Sequence, residues 1–293
     1  MSDQTTYYQE SGKVDAFRFG LVAVGGAIVV LVLAYVYAVA AFKIPFPYVN
    51  LFLTIGFGLI LGVLVRVAGR FGHFRARRSR LVYALGLGFL ACYLQWCASF
   101  ALLAGDYFLG GGFPGFGEYL AMVVRPEVFS ILPDLYAYGV WTVFGIPING
   151  ALQGLVWTIE AGIIIGLPLV PVFRVAIYPF SERLGEWYPK FTLSPDFASV
   201  AGSAELVEAL RTDTVEAIGQ MGLGTGWRHT KVHVFYSKDE DSQYITLERV
   251  FVEDRGAGKT EKDVVINNLQ VSKATAEALM EQFEGSRERL EVV

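Results

Sequence analysis

Between Phe19 and Phe42 the chain runs for 24 residues without a charged side chain. A helix rises about 1.5 Å per residue, so a run of this length crosses a hydrocarbon core of roughly 30 Å. A secretory signal is the other reading of such a run. Ala38-Val39-Ala40 has the small-residue pattern of a cleavage site, and Lys13 and Arg18 supply a basic flank. The run is too long for a signal core, and more apolar runs follow. Membrane-spanning helices are expected over 19–42, 48–68, 81–104 and 149–171, after a polar tail over 1–18.

Composition divides the chain. The whole is 54% hydrophobic, above the usual share for a soluble domain, but the excess lies in residues 1–181. That part holds 11 basic and 8 acidic residues, and the rest holds 13 basic and 20 acidic ones. An acidic C-terminal part does not offer the basic face that nucleic acid requires. Cys92 and Cys97 both sit inside one apolar run. Five residues apart on a helix, they point in different directions, so neither a disulfide framework nor a zinc site is implied.

Orientation is carried by one loop. Arg70, Arg75, Arg77, Arg78 and Arg80 follow the second run, and Arg66 lies just before them. Arginine-rich short loops stay in the cytoplasm, and the same side chains suit anionic lipid head groups. The expected arrangement is a multi-pass protein of the cell membrane with cytoplasmic N- and C-termini. The fifth apolar segment, 128–148, is broken by Pro133, Gly139, Gly145 and Pro147. It reads as an interfacial or re-entrant part of an outer loop over 105–148. As a fifth span it would place the C-terminal part outside.

The fourth run carries a carboxylate. Asn149, Gln153, Trp157 and Glu160 fall on one helical face by their spacing. An ionisable residue at mid-span is a functional candidate and needs a partner. Gln95 of the third run, at a comparable depth, and Gln153 and Asn149 on the same run as Glu160 are the candidate partners. Burial would keep such a carboxyl neutral. Lining an aqueous path instead, it would ionise and attract cations.

Gly58/Gly62 and Gly162/Gly166 have the GxxxG spacing that lets helices approach closely. Four short spans bury little surface in one copy, so a homo-oligomer is expected.

An interfacial linker is expected over 182–194 and a soluble domain over 195–293. Val207, Leu210, Ile218 and Met221 mark one face of a helix from about 203 to 220. Alternating β-branched runs predict strands over 229–237, 243–253 and 263–271. Ala276, Leu279, Met280 and Phe283 mark a last helix, within 273–284. The fold class is therefore a polytopic helical membrane domain followed by a small α+β cytoplasmic domain, in the order α-β-β-β-α.

Chemistry-bearing motifs are few. Gly256-Ala257-Gly258-Lys259-Thr260 resembles the end of a phosphate-binding loop, but Glu253 stands where the first glycine belongs. A hairpin turn is expected there. His229 and His233 share a face of a strand, and no third metal ligand is evident from spacing. No cofactor is implied. The expected function is a non-enzymatic membrane protein whose cytoplasmic domain binds a protein partner or senses a state. The alternative is a small oligomeric channel or a proton- or ion-coupled transporter that uses Glu160.

Overall fold

The computed structural model describes residues 7–44, 46–108, 115–139, 141–143, 146–174, 178–252, 260–284 and 286–287. The chain forms two compact units, one over 12–175 and the other combining 1–11 with 176–293.

The first unit is a helical bundle. Its main helices are α1 (Ala16–Lys43), α2 (Pro47–Phe71), α3 (Arg77–Phe108) and α6 (Gly150–Gly166). A 3-10 turn, Leu167–Leu169, links α6 to α7 (Val170–Arg174), making one apolar rod over Gly150–Phe173. Pro168 and Pro171 remove amide donors there, which favours the tighter turn over a straight helix. Among the described residues, four helices are long and apolar enough to cross a membrane. The third is the central one, with 56% of its apolar window buried against 17% for the first and fourth.

Local chemistry sets the helix ends. Asp15 caps α1 by accepting from the Arg18 amide. Pro47 occupies the first turn of α2, where its missing amide costs nothing. Between α2 and α3, His73 adopts a left-handed φ of 49°. Phe74 then turns inward, is 1% exposed, and packs on Phe19 and Tyr83. This aromatic cluster fixes the arginine loop to α1 and α3.

Small residues set the helix spacing. A Cβ at Gly58 would lie 3.1 Å from the Ile163 carbonyl, and one at Gly88 would lie 3.0 Å from the Ile165 Cα. The fourth apolar helix is therefore held between α2 and α3 at glycine contacts. Gly62 faces Leu167 and Pro171 across the same seam. Gly162 and Gly166 have open space around them instead.

Residues between α3 and α6 close the end of the bundle remote from the arginines. They form α4 (Phe116–Val123), a 3-10 turn (Pro126–Ile131), α5 (Leu132–Tyr138) and a short hairpin of β1 (Trp141–Val143) and β2 (Ile146–Ile148). No described helix in 128–148 exceeds seven residues, which is too short to span. Tyr119 is fully buried, donates to the Leu31 carbonyl at 3.0 Å and stacks on Tyr35.

The second unit is an antiparallel sheet with helices on one face. Its path is β10 (Ser286–Arg287), β5 (Lys190–Thr192), β7 (Arg228–Phe235), β8 (Ser242–Val252) and β9 (Thr260–Ser272), with β6 (Phe197–Ala198) also paired to β7. A small hairpin of β3 (Phe180–Ser181) and β4 (Glu186–Trp187) stands apart. The sequence pattern shows the three long strands, and the short ones are additions to it. Helices α8 (Ala204–Thr212), α9 (Thr214–Gly219) and α10 (Lys273–Gln282) cover one face. Leu210, Ile218, Val232, Val234, Ile245, Leu247 and Leu279 form the core between the layers. The single helix expected over 203–220 is broken at Asp213. That residue is extended and caps α9, its carboxylate accepting from the Val215 and Glu216 amides.

The N-terminal segment belongs to this unit. Tyr7 bridges Leu269 on the outer edge of β9, and the Tyr8 amide donates to the Asn268 carbonyl. The ring of Tyr8 packs edge-on against Tyr244, which packs edge-on against Tyr188.

Candidate functional site

Two places gather functional side chains, one in each unit. Inside the bundle, Tyr37 of α1, Thr54 of α2 and Glu160 of α6 meet. The Tyr37 hydroxyl lies 2.6 Å from Glu160 Oε1, within hydrogen-bond distance, and 2.8 Å from Thr54 Oγ1. Thr54 in turn donates to the Asn50 carbonyl one turn back at 2.8 Å. Phe57 stacks flat on the Tyr37 ring with centroids 4.8 Å apart, which holds the phenol in place. The side-chain oxygen of Asn50 is sealed from solvent and has no hydrogen-bond partner among the described residues. Cys92 of α3 lies within electrostatic reach of Glu160, so all four long helices contribute.

Sequence spacing offers Gln95, Gln153 and Asn149 as partners of Glu160, and the side chain hydrogen-bonded to Glu160 is Tyr37. Gln95 is buried and takes a hydrogen bond from Ser99 on its own helix. Equal depth sets two groups at one level of a bundle but does not set the directions they face. Gln153 is fully buried on the same helix as Glu160 but serves a different purpose. With its amide oriented to satisfy both ends, it accepts from the Trp157 indole and donates to the Ile148 carbonyl at 3.0 Å. Asn149 stands at the N-cap of α6, and its side chain makes no capping bond.

The arginines collect at one end of the bundle. Arg77 stands over the Phe173 ring at 4.6 Å, and the Arg80 stem lies against Gly69. Arg66 is half-buried, with an Nε that is sealed from solvent and lacks a partner. Arg70 and Arg75 are half-buried and Arg78 is exposed. Arg18 adds to the group, 2.8 Å from the His73 ring.

In the second unit, a cleft of about 240 Å³ opens between the β3–β4 hairpin and the β7–β8 turn. Trp187, Tyr188, Phe191 and Tyr236 line it, with Lys238 and Asp239 at one side. Both walls are fixed. Fully buried Gln243 accepts from the Ser237 amide and donates to the Ser237 and Glu240 carbonyls. The hairpin wall is fastened through Tyr8, whose hydroxyl accepts from the Phe180 amide, and through Ser11, which donates to Glu182. Burial pushes the Tyr8 phenol up to about 12, so it stays neutral. Sequence reasoning missed this cleft, because its walls come from segments that look like a linker and a turn.

His229 and His233 are both buried on the sheet face away from the helices. His233 Nδ1 lies 2.7 Å from Thr192 Oγ1, and Nε2 lies 3.4 Å from Glu248 Oε2. The His233 hydrogen bond, with Lys262 adding to it, holds the Glu248 carboxyl below the usual carboxylate range. His229 Nε2 lies 3.6 Å from Asp196. Among the described residues no three metal-ligating side chains come together. The phosphate-loop-like stretch at 256–259 lies outside the described residues.

Comparison with protein-family models, with curated proteins and with solved structures finds no match to this chain.

Proposed function

We propose that this is a multi-pass protein of the cell membrane whose cytoplasmic unit binds a protein partner or senses a state, without catalysing a reaction. The observation that carries this reading is the cleft between the β3–β4 hairpin and the β7–β8 turn. Aromatic walls with a few polar groups at the rim are what recognition sites offer. Walls already fixed in place lower the ordering cost of binding.

Two observations support the proposed arrangement across the membrane. Tyr7 and Tyr8 pair with β9, so the N-terminal segment and the C-terminal unit share one side. An even number of crossings is then needed, and the four apolar helices provide it. The arginine end of the bundle is strongly basic, whereas the opposite end carries Glu118, Glu127 and Asp134 beside Lys43 and Arg125. That polarity favours the arginine end in the cytoplasm. Arg66, Arg70, Arg75, Arg77, Arg78 and Arg80 there suit the phosphates of anionic lipids. The open face at Gly162 and Gly166 suits close approach by a second copy, giving a homo-oligomer.

A photo-reactive residue at Lys238 in the full-length protein, in its own membrane, tests the cleft. A discrete protein adduct that is lost in Trp187→Ala supports the reading. Adducts unaffected by Trp187→Ala would contradict it.

A second reading is a small channel or a proton- or ion-coupled transporter. The bond from Tyr37 to Glu160 favours it, because it ties a mid-span carboxyl to a line of hydroxyls. Flux into liposomes with native protein and with Glu160→Gln tests this reading.

A further inference from the structure

Three oxygen–oxygen contacts link Glu160, Tyr37, Thr54 and the Asn50 carbonyl, at 2.6, 2.8 and 2.8 Å. Each needs one hydrogen. An ionised carboxylate only accepts, so Tyr37 and Thr54 supply two hydrogens for three contacts. Tyr37 then donates to Glu160, and Thr54 must choose between Tyr37 and the Asn50 carbonyl. A neutral Glu160 supplies the third hydrogen. Its O–H donates to Tyr37, Tyr37 to Thr54, and Thr54 to Asn50, so the Tyr37 and Thr54 hydroxyls each donate once and accept once.

We propose that Glu160 is a proton-binding site, and that Tyr37, Thr54 and Asn50 form the line along which it exchanges its proton with water. In the loaded form the line points from Glu160 to Asn50. On release, the Glu160 proton passes to Tyr37, the Tyr37 proton to Thr54, and the Thr54 proton to a water molecule at Asn50. Each O–H bond broken is matched by one formed. Glu160 gains one negative charge and the water one positive charge. The line now points back toward Glu160, and Thr54 no longer donates to Asn50. As a helical carbonyl, Asn50 keeps its own i+4 amide partner in both forms.

The exit is at the end remote from the arginines. Asn50 follows Pro47, the first residue of α2, by three positions, or about 5 Å of helix. Asn50 is half-buried there, whereas Thr54 and Tyr37 are buried. The groups facing Glu160 are Tyr37 from α1, Thr54 from α2 and Cys92 from α3, with Gln153 and Trp157 engaged with each other on its own helix. Among the described residues none of these groups is a cation.

This proposal deepens the transport reading without requiring flux, since a proton site can be filled and emptied in a protein that transports nothing. Infrared spectroscopy of the full-length protein in liposomes at neutral pH tests it. The expected result is a carboxylic-acid carbonyl band that is lost in Glu160→Gln and shifts to higher frequency in Tyr37→Phe. Transfer into heavy water should downshift the band, more slowly in Thr54→Val than in the native protein. Circular dichroism of each variant checks that it folds. If Tyr37→Phe does not fold, the near-isosteric Thr54→Val decides alone. Loss of a carboxylate band instead of an acid band in Glu160→Gln would overturn the proton site. Equal exchange in native and Thr54→Val would overturn the line. The liposome flux assay reads transport separately, so its failure leaves the infrared result standing.

Discussion

Tyr37 and Glu160 lie 123 residues apart in the chain and share a 2.6 Å hydrogen bond between the first and fourth apolar helices. The bond fixes both helices at one level and satisfies a polar group inside the bundle. Such bonds contribute about 0.6 kcal/mol on average in membrane proteins. Tyr37→Phe keeps the stacking on Phe57 and should lower stability in detergent by about that amount. Glu160→Gln retains a donor and an acceptor and should be tolerated, whereas Glu160→Leu strands the Tyr37 hydroxyl and should destabilise more. Thermal melting of the purified variants checks this order.

Gly58 and Gly162 should respond oppositely to leucine. A side chain at Gly58 would run into the fourth helix, while Gly162 has open space around it. Gly58→Leu overpacks the α2–α6 seam at a cost of about 1–3 kcal/mol. Gly162→Leu should leave the melting temperature of the monomer unchanged and reduce the mass of the assembly. Light scattering in detergent, alongside melting, separates the two effects.

The parts legible in the sequence are those set by local composition. The apolar runs marked the four long helices because length and hydropathy are properties of contiguous residues. Strands β7 to β9 were legible from alternation within each segment. What was not legible depends on residues far apart. Nothing in Tyr7 and Tyr8 marks them as an edge partner of β9, since two residues carry no period. Lys190–Thr192 is too short to show one. The choice of Tyr37 over Gln95 as partner for Glu160 rests on the azimuth of packed helices, which periodicity within one helix does not fix. Gly58 was legible by its spacing to Gly62, whereas Gly88 was not, because its close neighbour lies on another helix.

Docking of the N-terminal segment should stabilise the C-terminal unit. The Tyr8 hydroxyl accepts from the Phe180 amide, and its ring packs on Tyr244. Tyr8→Phe loses the acceptor and should cost about 1 kcal/mol. Tyr8→Ala also loses the ring packing and should cost about 3–5 kcal/mol at most, the range for a buried aromatic. Amide hydrogen exchange of β9 and of the β3–β4 hairpin reads the effect directly. Unchanged protection in Tyr8→Ala would show that the segment does not hold the cleft wall.

Acid should weaken the C-terminal unit partly through Glu248. Its hydrogen bond with His233, aided by Lys262, keeps the carboxyl below its unfolded value of about 4.3. Between the two values the unfolded chain binds more protons, so stability falls as pH drops. The contribution is present above the unfolded value and lost as pH falls through the folded one. Glu248→Gln should flatten the acid limb of the stability–pH curve and leave its upper limb unchanged. Denaturant unfolding of the full-length protein, followed through the C-terminal tryptophans over pH 3–7, checks it.

The most direct test of the membrane arrangement is labelling by an impermeant thiol reagent in intact cells. Single cysteines at Ser11→Cys and Asp239→Cys report the N-terminal segment and the cleft, and Glu127→Cys reports the opposite end, with Cys92 and Cys97 replaced by alanine. Labelling is expected at position 127 alone in intact cells, and at 11 and 239 only after permeabilisation. Labelling at 239 in intact cells would contradict the cytoplasmic assignment. Labelling at only one of 11 and 239 in intact cells would contradict the shared side that the pairing of Tyr8 with β9 requires.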